Sequence, residues 1–115
     1  MKQTQAQAPL TEGVYYILLS LYEPRHGYGI MQYVEELSAG RVELGAGTLY
    51  GAIKTLVERK WIHPLDGDGR KKEYLITDEG KGIVAREIQR LEELYSNGQK
   101  ITKGGNEHEE GKISL

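Results

Sequence analysis

The sequence predicts a mostly α-helical chain with one small β hairpin, closed by a long C-terminal helix. Three observations predict it. Apolar residues recur at helical spacing in four segments, a glycine-rich turn separates two short strand-like runs, and a threonine followed by two acidic residues marks the start of the last helix. The expected organisation is a flexible start over 1–9, a folded domain over 10–76, a helix over 77–98 and a disordered tail over 99–115.

The first helix begins after Thr11, a hydroxyl suited to cap it. Val14, Ile17, Leu18, Leu21 and Tyr22 then follow one another at i, i+3, i+4, i+7 and i+8, until Pro24 stops the pattern. Tyr15, Leu19 and Tyr22 make a second apolar strip, so more than one side of this helix needs covering. Arg25-His26-Gly27-Tyr28-Gly29 reads as a turn into a second helix, from about Tyr28 to Ser38, with Ile30, Val34 and Leu37 facing inward and Gly40 beyond its end. Arg41-Val42-Glu43-Leu44 alternates like a very short strand.

Gly45-Ala46-Gly47 breaks the chain before a third helix, Gly47 to Lys60. Its inner face carries Leu49, Ile53, Leu56 and Val57, and its outer face is small and polar. Trp61 to Leu65, the turn Asp66-Gly67-Asp68-Gly69, and Arg70 to Ile76 form the hairpin, with Trp61 expected in the core behind it. Thr77 caps the fourth helix, which carries Asp78 and Glu79 in its first turn and runs to about Asn97.

Composition removes whole classes of function. With 115 residues and no cysteine, the chain is sized for one modest core and offers no disulfide, iron-sulfur or thiolate zinc site. His26, His63 and His108 lie in separate segments without ligand spacing, no phosphate-binding loop is present, and no serine stands with a histidine and an acid behind it. The expectation is therefore a non-enzyme without cofactor or metal. Neither a membrane span nor a signal peptide is legible, and the expected location is cytoplasmic.

The net charge of −2 gives no global attraction to nucleic acid, but from Thr48 to Tyr74 there are six basic residues against four acidic ones. The order helix, helix, short strand, helix, hairpin, helix is that of a winged helix-turn-helix, whose third helix enters the major groove of double-stranded DNA. The candidate DNA contacts follow. Thr48 and Tyr50 can donate to phosphates or bases near the helix N-terminus, Gly51 allows close approach, and Lys54 and Thr55 lie further along the outer face. Arg70, Lys71 and Lys72 form a basic wing for the sugar-phosphate backbone, and Tyr28 stands where the backbone would pass helix two.

Four blocks in order, Leu10-Thr11-Glu12 with Tyr15 to Leu19, Arg25 to Ile30, Gly47-Thr48-Leu49-Tyr50, and Ile76 to Gly80, resemble the PadR-like transcriptional regulators over roughly Leu10 to Tyr95. The sequence departs from that pattern at Ala46, where the family usually has proline, and at Glu73 and Leu75 around Tyr74. The resemblance implies a homodimeric repressor on a pseudo-palindromic operator, with the C-terminal helix as the dimerisation helix. Independently, Val84, Ile88, Leu91 and Tyr95 recur at intervals of 4, 3 and 4, a coiled-coil-like seam. The candidate dimer interface is thus Tyr15, Leu18, Val84, Ile88, Leu91 and Tyr95. Two further readings stay open: a winged helix turned to protein interaction, and a sensor whose dimer cavity, lined by Tyr15, Tyr16, Leu91 and Tyr95, takes a small aromatic effector.

Overall fold

The computed structural model describes residues 8–67 and 71–104. In chain order the elements are α1 (Glu12–Ser20), β1 (Arg25–His26), α2 (Gly27–Leu37), α3 (Ala46–Glu58), β2 (Ile62–Pro64), β3 (Glu73–Ile76) and α4 (Asp78–Gln99), followed by a π-helical turn at Lys100–Gly104. They fall into two compact units, 1–85 and 86–115.

In the first unit Thr11 caps α1, its Oγ1 accepting the Val14 N–H at 3.1 Å. The helix stops at Ser20, four residues before Pro24, because the proline ring leaves no room for a helical carbonyl at position 20. That orphaned carbonyl accepts instead from Arg25 Nε at 2.8 Å, while the Arg25 guanidinium lies 4.0 Å from the centre of the Tyr33 ring.

Arg25 and His26 supply the third strand. The sheet order is β1-β3-β2, all antiparallel, with Arg25 opposite Tyr74 and Ile62 opposite Ile76. The sequence pattern had placed a short strand at Arg41 to Leu44 instead. There the alternation is present, Val42 and Leu44 half-buried between exposed Arg41 and Glu43, but among the described residues no strand pairs with it, and the Val42 N–H is taken by Ser38 Oγ at 3.0 Å. An alternating pattern records which side faces the core; it does not supply the neighbour that makes a strand.

Both α2 and α3 end in Schellman motifs. After α2, the Gly40 N–H bonds to the Glu35 carbonyl at 2.8 Å and the Ala39 N–H to that of Glu36 at 3.1 Å; after α3, Trp61 reaches Leu56 and Lys60 reaches Val57, each at 3.0 Å. The left-handed position is Ala39 (φ 56°) in one and Lys60 (φ 66°) in the other, where glycine is the usual occupant. Ala39→Gly and Lys60→Gly are each expected to raise stability by about 0.5–1 kcal/mol, the left-handed strain outweighing the added chain entropy. Urea titration of the two single variants checks this.

The core joins Ile17, Leu18 and Leu21 of α1 and its cap to Ile30 and Val34 of α2 and to Leu49, Ile53 and Leu56 of α3. Ile62 and Ile76 close it from the sheet, and Ile83 and Val84 from the start of α4. Thr77 joins these parts. Its Oγ1 accepts the Gly80 N–H at 3.0 Å, capping α4, and donates to the carbonyl of Lys60 (2.7 Å), with that of Trp61 at 3.0 Å.

The second unit holds the rest of α4. Glu87, 2% exposed, takes a bidentate pair from Arg90, through Nε at 3.0 Å and Nη2 at 2.6 Å. Helix continues past Asn97, where a stop was expected, because Gly98 keeps helical conformation and its carbonyl accepts from Thr102 Oγ1 at 2.9 Å. The expected disordered tail is therefore helical as far as Gly104, and residues 105–115 lie outside those described.

Candidate nucleic-acid interface

Helix α3 has its buried face fixed by Leu49, Ile53 and Leu56, which leaves Gly47, Thr48, Tyr50, Gly51, Lys54, Thr55 and Glu58 exposed. The glycines on that face answer to nothing inside the chain. A Cβ built on Gly45, Gly47 or Gly51 meets no atom within 4 Å, although glycine inside a helix costs about 1 kcal/mol relative to alanine. Gly47 and Gly51 thus lower the outer surface of α3 between the exposed side chains of Thr48, Tyr50, Lys54, Thr55 and Glu58.

Tyr50 is placed differently from a free donor. It is 42% exposed, and its ring lies across the first turn of α2, where a Cβ on Gly27 would stand 2.6 Å from Tyr50 Cζ. Gly27 therefore belongs to a helix–helix contact rather than to a turn, and α2 begins there because His26 caps it, Nδ1 accepting the Gly29 N–H at 3.3 Å. One residue on, Tyr28 is 62% exposed, its Oη accepting only a long bond from Gln32 Nε2 at 3.5 Å.

The hairpin brings cations to the same side. Lys54 of α3 and Lys72, which precedes β3, line one cleft between helix and sheet, and Lys71 is exposed beside it; Arg70 lies outside the described residues. Thr55 lies on the flank, against a small cavity of about 200 Å³ shared with Leu10, Arg59 and Trp61. Sequence reading had not singled out Tyr74. Burial pushes its phenol above the ordinary value, and neighbouring Tyr50 adds to the rise. The only sequence signal for it is the strand alternation that the hairpin pattern already carried.

The candidate dimer residues divide. Leu18 and Val84 are 0% and 2% exposed in the chain's own core and offer no surface to a partner, while Tyr15 is half-buried, edge-on to Tyr16 at 6.0 Å. Ile88, Leu91 and Tyr95 are open, and Leu94 and Ile101 are open with them. Among the described residues no group of histidine and acidic side chains could hold a metal ion, and no helix is long and apolar enough to cross a membrane.

Residues 16–86 match the family described as the Transcriptional regulator PadR-like family. Over 71 residues the chain is 35% identical to an uncharacterised 37.1 kDa protein in transposon TN4556 of Streptomyces fradiae. That match takes in 62% of this chain and 20% of the relative, so the chain spans about a fifth of the length of that curated relative. Among solved structures, RosR of H. salinarum is similar at a TM-score of 0.60 and 31% identity, over 76% of each chain. A PadR family transcriptional regulator from Eggerthella lenta is similar at 0.63 and 26%, over 78% of this chain and 80% of that one.

Proposed function

The chain belongs to the PadR-like family of transcriptional regulators, and on that footing we propose that it is a sequence-specific DNA-binding regulator, acting as a homodimeric repressor on a pseudo-palindromic operator in the cytoplasm. The observation that carries the reading is the surface on which the outer face of α3, lowered by its glycines, and the wing lysines meet. Groove and phosphates lie at different depths on a duplex, and this surface has a part for each.

In this reading α3 enters the major groove with Gly47 and Gly51 letting its backbone close on the base edges. Thr48 donates to a phosphate or base near the positive end of the helix, and Lys54 reaches a guanine or a phosphate. Thr55 contacts the flank of the groove. Lys71 and Lys72, continued by Arg70, neutralise phosphates along the backbone, and Tyr28 meets the backbone beyond α2. Tyr50 contributes twice, by holding α2 against α3 through Gly27 and by its partly exposed ring. The proposal is for a binding protein without a catalytic step, as membership in a regulator family supports.

Fluorescence anisotropy with the chain's own promoter region is the direct test. Lys54→Ala is expected to weaken binding and alter the preferred sequence, whereas Lys71→Ala with Lys72→Ala weakens all sequences alike and lowers the salt slope by about one per lost phosphate contact. An unchanged slope in the double variant would remove the wing from the interface.

A further inference from the structure

Two helices of this chain start on groups that do not titrate, the Thr11 and Thr77 hydroxyls that cap α1 and α4. Helix α2 starts on His26, whose Nδ1 accepts the Gly29 N–H at 3.3 Å. An imidazole nitrogen accepts only while it carries no proton, so this bond puts the proton of the neutral ring on Nε2. Protonation makes Nδ1 a donor facing a donor, and sets a positive charge at the positive end of the helix dipole. The first turn of α1 holds Glu12 and that of α4 holds Asp78 and Glu79, whereas the first turn of α2 has no acidic residue to offset such a charge.

We propose that His26 is an acid-sensitive cap, holding the start of α2 while neutral and releasing it on protonation, so that acidification loosens the grip on DNA. The released imidazolium has a partner within reach. In the antiparallel pair of β1 and β3 His26 stands opposite Glu73, and among the described residues no ion pair engages that carboxylate. Arg25, its neighbour on β1, is committed to the Ser20 carbonyl and the Tyr33 ring, with Glu23 at 3.7 Å. The other titratable groups around it are Lys72, next to Glu73, and the phenols of Tyr28 on α2, Tyr50 on α3 and Tyr74 on β3. Glu73 is thus the anion placed to receive the charged ring. What the cap releases lies against α3: a Cβ on Gly27, the residue after His26, would stand 2.6 Å from Tyr50 Cζ. The first turn of α2 seats the Tyr50 ring, and loosening that turn frees a side chain of the helix offered to the major groove. The effect on DNA rests on the proposed function; the uncapping of α2 does not.

Amide hydrogen exchange on the full chain, expressed as protection factors at about pH 7.5 and about pH 5.5, reads the cap directly. Protection of the Gly29 amide is expected to fall about tenfold with acid, while Val14 and Gly80, held by threonine caps, keep theirs. Operator affinity, followed by anisotropy, should fall about tenfold over the same range. That sign is diagnostic, because added positive charge otherwise favours DNA. His26→Ser, a cap that does not titrate, should bind operator like the unaltered chain at the higher pH and lose nothing at the lower one. Glu73→Gln removes the partner of the charged ring and should move the loss to lower pH. Gly29 protection that does not change with pH overturns the acid-sensitive cap. A pH at which protection is lost that Glu73→Gln leaves in place overturns the role of Glu73. Loss of protection with operator affinity held, or an acid loss of affinity that persists in His26→Ser, overturns the link to DNA. A chain that binds no DNA at either pH overturns the DNA reading and leaves the cap to stand or fall by the exchange measurement.

Discussion

Gly80→Ala is expected to cost about 2–4 kcal/mol and to lower the melting temperature by about 10–25 °C. The expected sign is itself informative. Gly80 lies in the first turn of α4, where alanine ordinarily stabilises a helix by about 1 kcal/mol. Here the added Cβ would stand 2.7 Å from Ile76 Cγ1 and 3.0 Å from the carbonyl carbon of Trp61, with the Trp61 oxygen closer still. Neither obstacle can yield cheaply. Ile76 is buried at 3% exposure, and the Trp61 carbonyl accepts the Thr77 N–H at 2.9 Å while the Trp61 N–H is held in the Schellman motif that ends α3. Relief means breaking the joint between α3, the sheet and α4. Gly98→Ala serves as the control, since a Cβ there meets nothing within 4 Å and should leave stability equal or higher. Paired thermal melts decide the matter: a Gly80→Ala variant that melts at or above the unaltered chain would refute the close approach.

Much of this was legible in the sequence, and the misses share a cause. The inner face of α3 follows from the spacing of Leu49, Ile53 and Leu56, and Thr11 and Thr77 cap α1 and α4 as their positions suggest. Periodicity finds a face but does not say what covers it. Leu18 and Val84 lie in the same apolar stripes as residues left exposed, and only packing puts those two inside their own chain. The third strand, at Arg25 and His26, is two residues long, too short to carry a period, and exists because β3 has an edge to pair. Gly27 shows the limit from the other side. It reads as a turn residue from its neighbours, whereas its requirement comes from Tyr50, distant in sequence and adjacent in space.

The second large effect is expected from Ile88→Asp with Leu91→Asp, which should turn a dimer into a monomer and weaken operator binding by on the order of a hundredfold or more. In the second unit Ile88, Leu91, Leu94, Tyr95 and Ile101 are 47%, 40%, 56%, 67% and 80% exposed. Five large apolar side chains along one helical segment make a surface that a soluble monomer rarely leaves open, and in the proposed homodimer a second copy of the same segment would cover it symmetrically. The two substituted positions are exposed, so the fold should survive and circular dichroism should be unchanged; Leu18 and Val84, buried in the core, would make poor test sites because altering them removes packing as well. In the proposed homodimer the link to DNA binding is effective concentration: with one α3 seated, its partner would be held over the second half-site, and the affinities would compound. The monomer should then bind a half-site about as well as each protomer of the dimer does, while losing the advantage on the full operator. Sedimentation and anisotropy on full and half operators separate the outcomes. A double variant that remains dimeric would place the interface elsewhere, and a monomer that keeps full-operator affinity would show that the two grips act independently.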